Sequence, residues 1–350
     1  MAPLLEVRDL TVTFDTDDGA VQAVDGVSYT VEQGQVLGIV GESGSGKSVS
    51  SLTVMGLTRF AGNARVSGQV LFDGTDLLTL GDEEMRVLRG GEVSMIFQDP
   101  LSSLHPLYTI GRQLVEAVRV HNDVSKKQAR DKAIEMLGFV GIPDPKSRID
   151  SYPHEFSGGM RQRVMIAMGL INEPKLLIAD EPTTALDVTV QAQILELLDR
   201  LQQELKMAIV LITHDLGVVA QVTDEIAVMY AGKIVEQGST RELFAQPEHP
   251  YTWGLLGSIP RIDRPRGEAL TSIPGLPPSL IQRPSGCAFH PRCAHAFPRC
   301  IATVPELTPA ARGGAAHVRA CHLEPAQSVA LWDAQKAAGA APATGVEDRS

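Results

Sequence analysis

Hydrophobic and polar positions alternate over the first thirty residues of the chain. Apolar side chains recur at short, regular intervals within residues 4–31, and an acidic segment at residues 15–19 interrupts them. Alternation with a period of two places successive side chains on opposite faces of a strand. We therefore predict antiparallel strands that are joined at the acidic segment.

Three short apolar runs without alternation occur further along the chain, at residues 36–40, 176–179 and 209–212. Runs of this length are typical of strands that are buried on both faces of a parallel sheet. Between the second and third runs, the leucines and isoleucine of residues 190–205 fall at helical spacing. Strand, helix and strand in this order predict an α/β core with crossover helices.

The rest of the chain follows other patterns. Residues 113–140 and 162–170 look helical and are separated by three prolines, so we predict a helical subdomain at about residues 99–170 inside a domain spanning 1–240. Proline becomes frequent after this domain, which predicts an appended region of short elements at 241–325. The Ala-, Pro- and Gly-rich end, 326–350, is predicted to be a disordered tail.

Composition excludes some classes of protein. Of 350 residues, 43% are hydrophobic and 21% are charged, and the formal net charge is −11. An acidic chain lacks the basic face of a general nucleic-acid binder. The first 14 residues resemble no signal peptide, and no apolar stretch reaches the ~18 residues of a spanning helix. We therefore expect a cytoplasmic protein that reaches a membrane only through a partner.

A glycine-rich run follows the first buried strand and fits G-x-x-x-x-G-K-[ST]. Its residues are Gly41, Glu42, Ser43, Gly44, Ser45, Gly46, Lys47 and Ser48. The glycines allow a turn that points successive backbone N–H groups at nucleotide phosphates. Lys47 adds a positive charge there, and the hydroxyl of Ser48 can bind Mg²⁺. The run therefore predicts a nucleotide-binding loop.

The second buried strand ends in an acidic pair, Asp180 and Glu181. A carboxylate at a strand end beside a phosphate loop can hold Mg²⁺, and its neighbour can polarise an attacking water. Acidic pairs are also common on protein surfaces. This pair therefore indicates a catalytic site only if the other motifs of the chain support it.

Further motifs make the chain resemble the ABC ATPase family. Gln98, followed by Asp99 and Pro100, is similar to the Q-loop glutamine, and His214 is similar to the switch histidine. Residues 157–162, Ser-Gly-Gly-Met-Arg-Gln, resemble the signature motif LSGGQ, with Phe156 and Met160 in place of the commonest residues. Residues 184–187 resemble the D-loop. All these motifs occur in the order that the family has.

The resemblance implies an α/β fold: a P-loop ABC nucleotide-binding domain. Such a domain has a RecA-like core, an antiparallel β subdomain and an α-helical subdomain, and here it would carry a Cys-containing C-terminal extension. Two such domains would face each other head to tail and enclose two ATP molecules. The resemblance gives the signature and D-loop residues a contact with the nucleotide across that interface: Ser157, Gly158, Gly159, Gln162 and Asp187.

The same resemblance assigns roles within one ATP site. Mg²⁺ would be surrounded by Ser48, Gln98 and Asp180, Glu181 would act as the general base, and His214 would contact the γ-phosphate. Phe14 is a candidate for stacking on the adenine, which is neutral, so dispersion would carry that contact. An equally good interpretation makes Phe14 a buried strand aromatic.

The four cysteines all lie in one C-terminal segment: Cys287, Cys293, Cys300 and Cys321. In a reducing compartment such a group favours a metal or Fe–S site over disulfides. The paired C-x₂-C knuckles of zinc ribbons are missing. We favour a [4Fe–4S] cluster, because four thiolates can hold one and some members of the resembled subfamily carry one. Free thiols, zinc or a disulfide are the alternatives, and nearby histidines could compete as ligands: His290, His295, His317 and His322.

The extension narrows the resemblance to the ATPase subunits of dipeptide and oligopeptide permeases, through Glu248-His249-Pro250-Tyr251-Thr252 and the segment 286–293. This implies ATP-driven peptide uptake at the inner face of the cell membrane, with a second ATPase subunit, two membrane permeases and an extracytoplasmic peptide-binding protein. Uptake of nickel or other small peptide-like cargo is the alternative. A DNA-repair ATPase would need a long coiled-coil or zinc insertion, and a translation factor would need two fused nucleotide domains.

Overall fold

The computed structural model describes residues 2–99, 103–184, 186–259 and 273–337. In chain order its strands are β1 (Leu5–Thr16), β2 (Gly19–Val31), β3 (Val36–Val40), β4 (Ala64–Phe72), β5 (Thr75–Asp76), β6 (Val93–Ile96), β7 (Leu176–Asp180), β8 (Ala208–Thr213), β9 (Glu225–Tyr230), β10 (Lys233–Ser239), β11 (Thr308–Pro309) and β12 (Val318–Arg319). Its helices are α1 (Lys47–Val54), α2 (Asp82–Leu88), α3 (Ile110–His121), α4 (Lys126–Phe139), α5 (Pro145–Arg148), α6 (Gly158–Leu170), α7 (Val188–Leu205), α8 (Leu216–Val222), α9 (Thr240–Ala245), α10 (Pro250–Gly257), α11 (Pro298–Ala302) and α12 (Pro325–Ala337).

The alternating N-terminal segment forms an antiparallel sheet, as its pattern predicts. β1 and β2 pair as a hairpin that turns at residues 17–18, inside the acidic segment, and the strand order is β2-β1-β4-β5. Its apolar positions point to one side, where Val12 and Val27 are fully buried. This sheet therefore presents one apolar face to the rest of the molecule.

The buried runs form the centre of a second sheet, with the order β11-β12-β10-β9-β3-β8-β7-β6 among the described strands. Five neighbouring strands, from β9 to β6, run parallel, which confirms the predicted α/β core. Successive residues of β3 face opposite sides. Leu37 packs against the antiparallel sheet, and Val36 packs against the helices on the other face. The parallel strands bring the carboxyl ends of β3, β7 and β8 to one edge, where ligands bind in such sheets.

The helical region between β6 and β7 differs in one detail from its pattern. Residues 113–140 form two helices, α3 and α4, rather than one continuous helix. The break has a local cause, because Ser125 caps α4 in a reciprocal capping box with Gln128. Buried side chains of α3, α4 and α6 then share one apolar cluster with α7 and the parallel sheet.

The C-terminal region does not form a separate sheet. β12 pairs with β10 at the edge of the large sheet, and β11 pairs with β12. Tyr251, Trp253 and Phe289 pack with residues of β9 in one buried cluster. The domain boundaries at residues 240 and 325 stay predictions, but the residues beyond 240 share the core of the residues before it.

The tail prediction needs a correction. Residues 325–337, expected to be mostly disordered, form α12. Trp332 is buried in the extension's apolar cluster, its ring stacks on Trp253 at 6.3 Å, and its indole N–H donates to the carbonyl of Ala245. The low-complexity composition therefore misled the prediction, since one buried aromatic residue ties the helix down. Residues 338–350 lie outside the described part of the chain.

Candidate functional site

The phosphate loop leaves β3 and enters α1, as the sequence predicts. Gly41 and Gly46 have positive φ angles of 153° and 102°, and a Cβ at either position would meet a backbone carbonyl oxygen, that of Met229 or Ala23. Only glycine fits both positions. The two glycines thus set the turn that begins α1 at Lys47, while Ser43 and Gly44 at the tip of the loop are exposed.

Lys47 is turned into its own loop. Its Nζ donates to the carbonyls of Gly41 at 2.7 Å and Glu42 at 3.0 Å. Burial lowers the pKa of Lys47, and nearby carboxylates, Glu181 first among them, partly offset this effect. Ser45 lies beside it with a buried Oγ that has no hydrogen-bond partner among the described residues. Such an unpaired polar atom costs free energy unless a ligand or water satisfies it, so the loop fits a phosphate.

The predicted metal-binding residues partly come together. Ser48 Oγ donates to Asp180 Oδ1 at 3.1 Å, which joins the start of α1 to the end of β7. Burial raises the pKa of Asp180, and the hydrogen bond from Ser48 opposes that rise. A hydroxyl and a carboxylate are hard oxygen ligands of the kind that Mg²⁺ prefers. Ser48 and Asp180 therefore fit a magnesium ion, whereas Gln98 contacts the neighbouring Glu181 through its amide nitrogen.

Glu181 is the most heavily contacted side chain of the site. Gln98 Nε2 and Thr184 Oγ1 each donate to its Oε2 at 2.9 Å, and His214 Nδ1 lies 3.3 Å from its Oε1. Its φ angle of 48° is unusual for a residue with a side chain, and strain of this kind is typical of functional sites. The contacts fix one orientation of the carboxylate beside Asp180.

Electrostatics favour the ionised form of Glu181. Burial raises its pKa, but the hydrogen bonds from Thr184 and His214 and the charges of His214 and Lys47 outweigh burial and hold the pKa below its usual value. Thr184 lies inside the D-loop motif, yet no pattern in the sequence predicts that its hydroxyl contacts Glu181. The polar type of residue 184 was the only available signal.

The signature residues lie at the start of α6. Ser157 caps α6 by accepting a hydrogen bond from Met160 N, and Ser157 and Gly158 are exposed. Asp187 likewise caps α7 through Val190 N. Gly159 lies against Val190, where a Cβ would come within 2.8 Å of its Cγ1. Ser157, Gly158 and Asp187 are therefore exposed at the starts of two helices, α6 and α7.

Two further residues of the predicted site, Gln162 and Phe14, are wholly or partly buried. Gln162 is only 1% exposed, so its side chain points into the protein interior and does not reach the surface that carries Ser157 and Gly158. Phe14 is half-buried and packs against the core between the two sheets. Part of its ring surface is therefore accessible and part is packed, so both interpretations of Phe14 remain open. Ala185 of the D-loop and Pro100 after Gln98 lie outside the described residues.

The [4Fe–4S] prediction is wrong. Among the described residues, which include all four cysteines, no group of three or more His, Cys, Asp or Glu side chains could hold a metal ion. All four cysteines are free of disulfide bonds. Burial raises the pKa of Cys287 to about 11 and that of Cys293 to about 12, and it also raises the pKa of Cys321.

Most of the neighbouring histidines have other partners. His290 Nδ1 lies 3.0 Å from the carbonyl of Cys287, and His322 Nε2 lies 2.7 Å from that of Thr303. Both ring nitrogens of His317 are engaged, one by the carbonyl of Arg312 and one by Glu236. His295 packs its ring edge-on against Trp253. The clustering of cysteines in the sequence therefore reflects packing of the extension and not a ligand set.

The fold and the site define a P-loop ATP-binding cassette, and comparison with known proteins agrees. Residues 24–184 match the family described as "ABC transporter", and residues 235–300 match "Oligopeptide/dipeptide transporter, C-terminal region". The solved dimeric structure of the ATP-binding cassette MJ0796 with ADP and Pi superposes with a TM-score of 0.61 at 26% identity, covering 67% of this chain and 98% of that chain.

Curated relatives narrow the class further. The dipeptide transport ATP-binding protein DppD of Bacillus subtilis is 54% identical over 308 residues, which is 88% of this chain and 92% of the relative. The oligopeptide transport ATP-binding protein OppD of Salmonella typhimurium is 54% identical over 297 residues, 85% of this chain and 88% of the relative. The chain belongs to the ABC transporter family, in its group of dipeptide and oligopeptide transport ATP-binding proteins.

Proposed function

We propose that this protein binds and hydrolyses ATP to drive the import of dipeptides or oligopeptides. The arrangement around Glu181 carries the proposal: a carboxylate oriented by Gln98, Thr184 and His214 lies next to the Ser48–Asp180 pair at the phosphate loop. A general base must be ionised and correctly oriented, and both conditions hold for Glu181.

Each residue of the site has a defined task. The loop amides and Lys47 bind the phosphates, and the buried hydroxyl of Ser45 gains a partner when they do. Ser48, Gln98 and Asp180 would hold Mg²⁺, which would supply positive charge next to the phosphates. Glu181 accepts a proton from the attacking water, and His214 moves from Glu181 towards the γ-phosphate. Phe14 offers part of its ring to the adenine.

A second ATPase subunit completes each site. Ser157, Gly158, Gly159 and Asp187 lie at the starts of α6 and α7, where Ser157, Gly158 and Asp187 are exposed and can face the nucleotide of a partner. The N-terminal end of α6 carries partial positive charge that suits a phosphate. The dimeric state named for the MJ0796 structure supports this arrangement. Gln162 does not belong to this surface, because it is buried.

The transport partners follow from the relatives and not from the site. Relatives that are 54% identical to this chain over 308 and 297 aligned residues are named as dipeptide and oligopeptide transport ATP-binding proteins. None of the described helices is long or apolar enough to span a membrane. We infer that the protein lies at the cytoplasmic face of the cell membrane, beneath two permease subunits that receive peptide from an extracytoplasmic binding protein.

Two measurements test the proposal. The purified protein should release phosphate from ATP only with Mg²⁺, and Lys47→Ala should abolish this release, because the phosphates lose the positive charge of Lys47. Cells lacking the chain should lose uptake of a radiolabelled di- or tripeptide and regain it with the wild-type chain but not with Lys47→Ala. Phosphate release without peptide uptake in complemented cells would disprove the proposal that peptides are the imported cargo. Wild-type protein without ATPase activity would disprove the proposal that the chain hydrolyses ATP.

A further inference from the structure

The C-terminal extension contacts the phosphate loop directly, at Glu42. Arg292 Nη1 donates to Glu42 Oε2 at 2.5 Å, and Arg292 Nη2 donates to Glu42 Oε1 at 2.9 Å. The two residues are 250 positions apart in the sequence. The pair is bidentate, which is the strongest geometry for an arginine and a carboxylate. Glu42 is the second residue of the loop, so the contact is made within the nucleotide-binding motif.

Arg292 is held firmly in this position. Its side chain is 5% exposed, and its Nε donates to the carbonyl of Pro274 at 2.9 Å. Tyr230, at the end of β9, lies under the guanidinium with its hydroxyl 3.4 Å from Nη1. The hydrogen bonds to Glu42 raise the pKa of Arg292, so its charge is permanent. The loop is thus paired with a fixed cation of the extension.

Tyr251 makes a second contact with the same loop residue. The backbone N–H of Glu42 donates to Tyr251 Oη at 2.8 Å. Tyr251 is fully buried and packs against Tyr230 and Phe289 at ring distances of 4.6 and 5.3 Å. Side chain and main chain of Glu42 are therefore both held by α10 and by the segment that follows it, and the first part of the loop cannot shift independently of the extension.

Charge gives these contacts a consequence for nucleotide binding. Glu42 contributes a carboxylate to a loop that must accept phosphates, and it is close enough to Lys47 to influence its pKa. Unpaired, this carboxylate would repel the phosphates and attract the ammonium of Lys47 away from them. Paired with Arg292 it is neutralised, and Lys47 stays available to the nucleotide.

We propose that Arg292 is a positioning residue that, with Tyr251, holds the phosphate loop in its ATP-binding form and neutralises Glu42. The extension then sets the affinity of the motor for ATP. This inference rests on the proposed ATP binding at residues 41–48. Arg292 does not touch the nucleotide and acts only through Glu42.

The test separates charge from packing. ATP binding is measured by titration calorimetry in EDTA, which prevents hydrolysis, and ATPase rates are measured with Mg²⁺. In Arg292→Met the Kd for ATP should rise about tenfold, the usual scale for losing a hydrogen bond to a charged group, while kcat at saturating ATP changes less than twofold. The double variant Glu42→Gln/Arg292→Met, which removes both charges, should recover most of the lost affinity.

Arg312→Met is the matched control. Arg312 also belongs to the extension and forms a bidentate pair, but its partner is the exposed Asp333 of α12 and not a residue of the phosphate loop. Its Kd for ATP should equal that of the wild type. Arg292→Lys keeps the charge but not the bidentate geometry, and should raise the Kd by a smaller factor than Arg292→Met, which provides a milder variant if the latter folds poorly.

The outcomes distinguish the two proposals. Wild-type protein that binds no ATP would contradict the proposed function. Wild-type binding with an unchanged Kd in Arg292→Met would overturn the positioning role, as would a double variant no better than the single one. A fall in kcat and melting temperature in step with affinity would also overturn it, because that result indicates general destabilisation.

Discussion

Two groups of charged residues in this protein are built in opposite ways. At the ATP site, Lys47, Asp180 and Glu181 lie around the phosphate loop, and Ser45 beside Lys47 keeps a buried hydroxyl without a partner in the described structure. At the edge of the large sheet, Glu236 of β10 and three residues of the extension, Glu248, His317 and Arg319, are all nearly or fully buried and are bonded to one another or to the main chain. We call the first set the open group, because it is arranged to bind a ligand. We call the second set the closed group, because its residues are bonded to one another.

The closed group is electrically balanced. Glu236 accepts from the N–H of Glu248 and from His317 Nε2, and Glu248 accepts from Arg319 Nε. His317 Nδ1 faces the carbonyl of Arg312, so both of its ring nitrogens must donate and the ring is cationic. Two carboxylates thus meet two cations. The comparison teaches that charged residues alone do not mark a functional site. The two groups differ because the ATP site keeps a buried polar atom without a hydrogen-bond partner, whereas the polar atoms of the second group are bonded to one another.

The largest expected effect concerns the open group. Glu181→Gln keeps the size of the side chain but removes the base, so ATP turnover should fall by a factor of about 10²–10⁴, the range for general base catalysis. ATP binding should persist, because the phosphate loop is unchanged. Phosphate release and ATP titration measure the two quantities. Glu173→Gln, on the surface, is the control. Undiminished hydrolysis would show that Glu181 is not the base.

Substitutions in the closed group should lower the free energy of unfolding but should not change ATP turnover at saturating ATP. Arg319→Met leaves Glu248 buried without its cation, which costs about 3–5 kcal/mol for a pair of this kind. The free energy of unfolding, from urea titrations, measures the cost. Arg130→Met is the control, because the Arg130–Asp150 pair is exposed and should contribute about 0–1 kcal/mol. Equal losses for the two variants would contradict the distinction between the groups.

The smallest effect is a dependence on pH within the closed group. Burial lowers the pKa of His317, but Glu236, the carbonyl of Arg312 and the charge of Glu242 outweigh burial and raise it above its ordinary value. A raised pKa stabilises the fold fully below the unfolded pKa of about 6.5. This stabilisation is lost as the pH rises through the folded pKa.

Comparison of the wild type with His317→Gln isolates this contribution. The difference in unfolding free energy should be larger at pH 6 than at pH 9. The surface variant His154→Gln should show no such trend. A difference that stays constant, or that grows with pH, would mean that His317 is neutral in the folded protein.

The ATP site could be predicted from the sequence because its residues depend on local backbone structure. Gly41 and Gly46 are required by the turn itself, and Asp180 is placed by the end of a strand whose apolar run is visible in the sequence. Parallel strands then bring their carboxyl ends together, so the predicted neighbours Ser48 and Asp180 do meet. The contact of Thr184 with Glu181 was not predictable, because it depends on the strained turn at Glu181.

The extension was harder to predict because its structure depends on contacts over long sequence separations. Four clustered cysteines suggested a metal site, and only the three-dimensional arrangement shows that they are free thiols without a metal-binding group. The composition of the tail suggested disorder. The structure instead shows the helix α12, which the packing of Trp332 holds against the extension. Short segments with few apolar residues carry little local signal, and their conformation is set by what they pack against.

The sequence by itself determined the phosphate loop, the parallel strands that frame it and the family of the chain, because motifs and periodicity act over a few residues. Only the tertiary structure decided the orientation of Glu181, the burial of Gln162 and the pairing of Arg292 with Glu42. Those depend on which distant surfaces meet, and the free energy of such contacts comes from burial and charge neutralisation that no short stretch of sequence contains.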